Sequence, residues 1–148
     1  AQAAAGAPLP SGGTVFITVT DRDKPGAVAV AQTLHDLGFS IVATGGTKAA
    51  LERMGIPAGL LQKVGEGSPN VVDGIEGGDI TLVVNTPTGS GARSDGWELR
   101  RAAIKRGVPC LTTLSGGLAA ARAIASARQG EAEVLSLQEI HRPSRATA

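Results

Sequence analysis

At 148 residues, with a formal net charge of +1 and 42% hydrophobic residues, the chain has the size for one domain with a full core. Two Phe, one Trp and no Tyr argue against an aromatic base-stacking platform, and the near-neutral charge gives no electrostatic grip on nucleic acid or a membrane surface. The lone Cys110 excludes an internal disulfide and a cysteine zinc site, no metal centre is expected, and no apolar run approaches the ~20 residues of a membrane span. With no secretory pattern, a reducing, cytoplasmic setting is expected.

Residues 1–12, rich in Ala, Gly and Pro and lacking an initial methionine, read as a flexible linker, so the domain is expected to belong to a longer polypeptide. Residues 14–19 (Thr-Val-Phe-Ile-Thr-Val) are β-branched and apolar on both faces, the pattern of a central strand covered on both sides. A polar turn through Lys24 and Pro25 starts a helix carrying Val28, Ala31, Leu34 and Leu37, which Gly38 stops. Residues 40–43 form a second strand, 48–54 a second helix closed by Gly55, and 58–61 a weak third strand. A loop over 65–69, a short helix at 71–75, a strand at 80–84, a polar loop over 85–91 and a helix at 95–106 follow. Trp97 is read as a packing residue of that last helix, and Arg100, Arg101, Lys105 and Arg106 as its solvated face. A fifth strand at 108–112 encloses Cys110 as inert core, and an alanine-rich helix covers 118–128. Strand and helix alternate throughout, which predicts a three-layer α/β/α sandwich around a mainly parallel sheet of about five strands.

The segment Thr44-Gly45-Gly46-Thr47 lies between a strand and a helix start. A helix N-terminus offers unpaired N–H groups and partial positive charge, two glycines admit an anion to the backbone, and the threonines add hydroxyls, so the turn has the chemistry of a phosphate seat. The alternative is a tight βα turn with Thr47 as N-cap. In a parallel sheet ligands sit beyond the carboxyl ends of the strands. There the sequence places Thr20 and Lys24, then Thr44 to Thr47, Lys63, then Asn85, Thr86 and Thr88, and finally Thr112 and Thr113. Convergence of Lys24, Lys63 and the threonines would hold a dianionic phosphate, with the Asn85 loop beside it for a sugar or base. Neither a Walker phosphate loop nor the dinucleotide glycine fingerprint is present.

The words Thr18-Val19-Thr20-Asp21-Arg22-Asp23-Lys24, Ala43-Thr44-Gly45-Gly46-Thr47 and Gln62-Lys63-Val64-Gly65-Glu66-Gly67-Ser68-Pro69 carry a family resemblance. So do Val84-Asn85-Thr86, Thr112-Thr113-Leu114-Ser115-Gly116-Gly117 and Ser136-Leu137-Gln138-Glu139-Ile140-His141. Over residues 13–142 the chain resembles the methylglyoxal-synthase-like domain family, most closely the C-terminal regulatory domains of carbamoyl-phosphate synthase large chains; residues 143–148 are expected to be a disordered tail.

That resemblance implies an allosteric, non-catalytic module of a glutamine-hydrolysing ligase. It would control carbamoyl phosphate supply to pyrimidine and arginine biosynthesis. It implies that Lys24, Thr44, Gly45, Gly46, Thr47 and Lys63 hold a nucleotide phosphate, with Thr18, Thr20, Asn85, Thr86 and Thr88 nearer the ribose or base. Thr112 and Thr113 would face a neighbouring domain. Uridine monophosphate and inosine monophosphate are the implied effectors, although Pro87 stands where a polar residue is expected. The domain itself would carry no cofactor. The implied partners are the ATP- and Mg-binding catalytic domains of the same chain and a glutaminase small subunit, with no nucleic acid or membrane.

Enzymes of the same fold are the alternative. Methylglyoxal synthase needs a carboxylate base and a histidine. Ser68 stands in place of the base, and the histidines are His35, within a helix, and His141, in the tail. The Lys-Thr-Leu-His segment of inosine-monophosphate cyclohydrolases is absent.

Overall fold

β1 (Thr14–Thr18) occupies the centre of a five-stranded, all-parallel sheet of order β3-β2-β1-β4-β5. Its three middle residues, Val15, Phe16 and Ile17, are buried on alternating faces, so both sides of this strand must be covered. The computed structural model describes residues 9–62, 70–86 and 93–140. The remaining elements are α1 (Lys24–Asp36), β2 (Ser40–Ala43), α2 (Gly45–Arg53), β3 (Gly59–Leu60), α3 (Val71–Glu76), β4 (Ile80–Asn85), α4 (Arg93–Arg106), β5 (Cys110–Leu111) and α5 (Leu114–Ile140). A single 3₁₀ turn, Asp21–Asp23, joins β1 to α1.

The α/β/α sandwich expected from the alternation is present. On one face Ala27, Val30, Ala31 and Leu34 of α1, Leu51 of α2 and Ala121 and Ile124 of α5 pack on Val15, Ile17, Ile41, Leu82 and Val84. On the other, Val71 and Ile75 of α3 and Leu99, Ala102 and Ala103 of α4 pack on Phe16 and Val83. Ile80 joins this second cluster although Leu82 and Val84 of the same strand face the first. The pairing of β1 with β4 shifts register between Thr14 and Val15, and that irregularity reverses the alternation. Small residues let the layers approach: a Cβ on Gly26 of α1 would stand 2.5 Å from Leu114 of α5, and one on Gly74 of α3 would stand 2.6 Å from Ile80 of β4.

Several boundaries differ from the sequence reading. Helix α2 begins at Gly45, not Lys48, because Thr44 is extended (φ −74, ψ 163) and the glycines take ordinary helical angles. Gly45 and Gly46 thus form the first helical turn rather than a loop before it. Helix α4 opens at Arg93 rather than residue 95 and α5 at Leu114 rather than residue 118, so Gly116 and Gly117 lie in the first turn of α5, where Thr113 Oγ1 accepts from Gly116 N at 3.0 Å. The outer strands β3 and β5 shrink to two residues each, as edge strands pairing on one side only. Trp97 is exposed beneath the Arg101 guanidinium, 5.3 Å from its ring centroid, and is not the packing residue expected.

Candidate functional site

Strand order reverses beside β1: β2 and β3 build outward on one side, and the chain then crosses back to place β4 on the other. The carboxyl ends of β2, β1 and β4 therefore open into one crevice, the place where parallel sheets accept ligands. In register, Thr18 at the end of β1 is the partner of Asn85 at the end of β4. This one sheet edge also carries Thr20 and Lys24 after β1, Thr44 to Thr47 after β2 and Thr86 after β4.

Hydroxyls stitch these strand ends together. Thr18 Oγ1 and Thr44 Oγ1 share a hydrogen bond of 3.0 Å, Val19 N donates to Thr47 Oγ1 at 3.3 Å, and Thr20 N donates to Thr86 Oγ1 at 3.1 Å. Thr86 N in turn donates to Thr18 O at 3.1 Å. Thr44, Thr47 and Thr86 are buried, so each bond replaces water that the folded chain excludes. Thr47 and Thr86 accept here, which leaves the hydrogen of each hydroxyl available for donation.

Thr44 occupies the N-cap position of α2, yet its side chain makes no capping bond to the helix and turns to Thr18 instead. Asn70 shows the contrast: its Oδ1 accepts from Asp73 N at 3.1 Å, and Asp73 Oδ2 accepts from Asn70 N at 2.9 Å, a complete capping box for α3. The first turn of α2, with Gly45 and Gly46 exposed, keeps its backbone donors free of Thr44's side chain. Above it lies Lys24. A Cβ placed on Gly46 would stand 3.0 Å from Lys24 Nζ and 3.6 Å from its Cε. A helix start repels a cation and attracts an anion. Two positive poles, an ammonium and a helix N-terminus, therefore converge on one exposed spot, and what satisfies both is a negatively charged group between them.

Lys24 Nζ donates to Asp21 Oδ1, an ion pair that holds the Asp21 carboxyl below its usual range through the hydrogen bond first and the Lys24 charge second. Asp23, nearer in sequence, is taken by Thr20 Oγ1 at 2.9 Å. The part played by Asp21 escaped the sequence reading, although its i, i+3 spacing from Lys24 was the signal.

Lys63 and Thr88, expected in the phosphate and ribose contacts, lie outside the described residues, as do Ser68, Pro87 and His141. Thr112 and Thr113 are exposed beyond β5, with Thr113 also capping α5. His35 sits near the far end of α1 from Lys24, roughly 16 Å away along the axis at 1.5 Å per residue. It borders a groove of about 460 Å³ at the opposite edge of the sheet, lined also by Phe39, Ser40, Glu52 and Pro57. That groove faces the amino ends of β2 and β3 and contains none of the strand-end threonines. Among the described residues no group of three His, Cys, Asp or Glu side chains could hold a metal, and no helix is long and apolar enough to cross a membrane.

Comparison with known proteins settles what this architecture is. The family model described as the MGS-like domain matches residues 26–112, from α1 through β5. The chain belongs to the MGS-like domain family. Among relatives of this MGS-like domain, the carbamoyl phosphate synthase large chain of Rubrobacter xylanophilus is 46% identical over 95% of the chain and 14% of its own length. The carbamoyl phosphate synthase large chain, C-terminal section, of Methanopyrus kandleri is 48% identical over 96% of the chain and 26% of its own length. The MGS-like domain thus spans about a seventh to a quarter of these relatives. Methylglyoxal synthase from Elizabethkingia anophelis superposes with a TM-score of 0.58 at 17% identity, covering 73% of this chain and 76% of that one, and so shares the fold.

Proposed function

We propose that this MGS-like domain is the regulatory module of a carbamoyl phosphate synthase large chain and that it binds a nucleoside monophosphate at the carboxyl edge of its sheet. One observation carries the reading: the Lys24 ammonium lies over Gly46 in a helix turn that its N-cap side chain leaves uncapped. A phosphate dianion fits between these two poles, with Thr44 to Thr47 around it and Lys63 as a second cation. Thr18, Thr20, Asn85 and Thr86 then lie on the side where a ribose and base would rest, and Thr88 is proposed to contribute there as well. Uridine and inosine monophosphates are the effectors to test first. The relatives' names support the parent chain, whose ATP- and Mg-dependent catalytic domains and glutaminase subunit would receive the signal.

The module performs no chemistry in this reading. It contributes through different effector affinity in two conformations of the larger enzyme, a coupling of typically ~1 to 3 kcal/mol. Through it the supply of carbamoyl phosphate for pyrimidine and arginine synthesis would follow nucleotide level. Thr112 and Thr113, exposed beyond β5, are the residues proposed to face a neighbouring domain. An acid–base enzyme of the same fold is disfavoured because Ser68 stands where the carboxylate base is expected and because, among the described residues, the one histidine, His35, lies at the far end of α1 from Lys24.

Calorimetric titration of the chain with uridine and inosine monophosphates, beside the parent nucleosides, tests the reading. Binding of a monophosphate but not of its nucleoside is expected. Equal binding of the two, or methylglyoxal formation from dihydroxyacetone phosphate by the purified chain, would overturn it.

A further inference from the structure

Lys24 is not idle. Its ammonium is held by Asp21, whose side chain is 94% exposed, while that of Lys24 is only 23% exposed. The lysine is thus fixed against the protein, and the aspartate reaches in from solvent to meet it. The geometry allows this division because Thr20 Oγ1 retains the Asp23 carboxylate, leaving Asp21 as the acid of the 3₁₀ turn that turns to Lys24. The ammonium simultaneously overhangs Gly46, where an approaching anion would meet it.

We infer that Asp21 is an internal competitor for the anion site, a carboxylate that occupies the Lys24 ammonium until a phosphate monoester displaces it. The inference rests on the reading of the site given above and adds a residue that the resemblance does not assign. Asp21 has no role in building the fold, since it is exposed and its bond is to a side chain three residues away. Its effect falls on affinity: every anion must first free the same ammonium, so Asp21 weakens all of them by a common factor. It therefore sets the concentration at which the site fills rather than which anion fills it. An exposed ion pair is worth little, so the factor is modest, roughly two- to fivefold. The lowered pKa of the Asp21 carboxyl is the trace of the same pairing and should vanish when the ligand takes Lys24.

The test compares wild type, Asp21→Asn, Lys24→Met and the double variant by calorimetry with uridine monophosphate, and again with inorganic phosphate. Asp21→Asn should bind both probes about two- to fivefold more tightly than wild type, with an unchanged melting temperature in the absence of ligand. In the Lys24→Met background the same substitution should change affinity by less than about 1.5-fold, because the competitor then has nothing to hold. Carboxyl titration by carbon NMR should show the Asp21 pKa rising towards the ordinary aspartate value of ~3.9 when uridine monophosphate saturates the wild type. Binding by the wild type with no gain in Asp21→Asn, or a gain that persists without Lys24, overturns this inference and leaves the site reading standing. If neither probe binds wild type or Asp21→Asn, both fall.

Discussion

Thr18 and Thr44 donate and accept across a single hydrogen bond, Oγ1 to Oγ1 at 3.0 Å, which ties the end of the central strand to the residue that opens α2. Because Thr44 spends its hydroxyl this way, Thr44→Val should lower stability by about 1 kcal/mol through the lost bond while leaving the helix content of α2 intact. Replacing both residues by Val should cost less than the sum of the single changes, since neither hydroxyl is then stranded. Urea midpoints and far-ultraviolet circular dichroism of the three variants measure this; strict additivity would contradict it.

Gly46 separates folding from binding. Its backbone is helical rather than left-handed, so Gly46→Ala should stabilise the domain or leave it unchanged, within about 1 kcal/mol. The added methyl would stand 3.0 Å from Lys24 Nζ and push the ammonium off the helix start, so affinity for uridine monophosphate should fall severalfold. A stability curve and a titration on one preparation decide it, and normal binding by the variant would count against the Lys24 site.

At α3 the capping box predicts a conventional loss. Asn70→Ala removes the bond from Asp73 N and should cost about 1 kcal/mol, read as a shifted urea midpoint at constant slope. The same substitution at Thr44 should show no loss of capping.

Burial raises the Cys110 thiol from 9.0 to about 11, with the Arg100 charge pulling weakly the other way. The folded state therefore keeps its proton longer than the unfolded chain. The resulting stability is full below pH 9 and is lost as pH rises towards 11. Alkylation by iodoacetamide should be slow in the native protein at neutral pH and should accelerate with a midpoint near 11, against about 9 in denaturant.

Much of this was legible in the residues. The runs at β1, β2 and β4 announced buried parallel strands because apolar side chains on both faces leave no other stable placement. The threonines at their carboxyl ends fell together as the strand-end rule requires. Less legible were the glycine pairs. Gly45-Gly46 and Gly116-Gly117 resemble loop breakers, yet each pair lies within the first turn of a helix, and Gly46 serves a close approach by Lys24. Local propensity does not report what another segment will bring near. For the same reason the threonines read as ligand donors turned out to bond to one another and to the backbone of Val19 and Thr20, just past the end of β1.

The pairing of β1 with β4 also carries a cost in time. Thr20 N and Thr86 Oγ1 are 66 residues apart in sequence, and their bond closes only after the intervening helices and strands have been made. Contacts of such separation slow folding, because the loop must be closed before it is rewarded. On a growing chain the central strand is made first and has its second neighbour only once β4 has been made. The carboxyl edge of the sheet is consequently incomplete until β4 has been added beside β1, so the proposed nucleotide site cannot exist before that strand is in place.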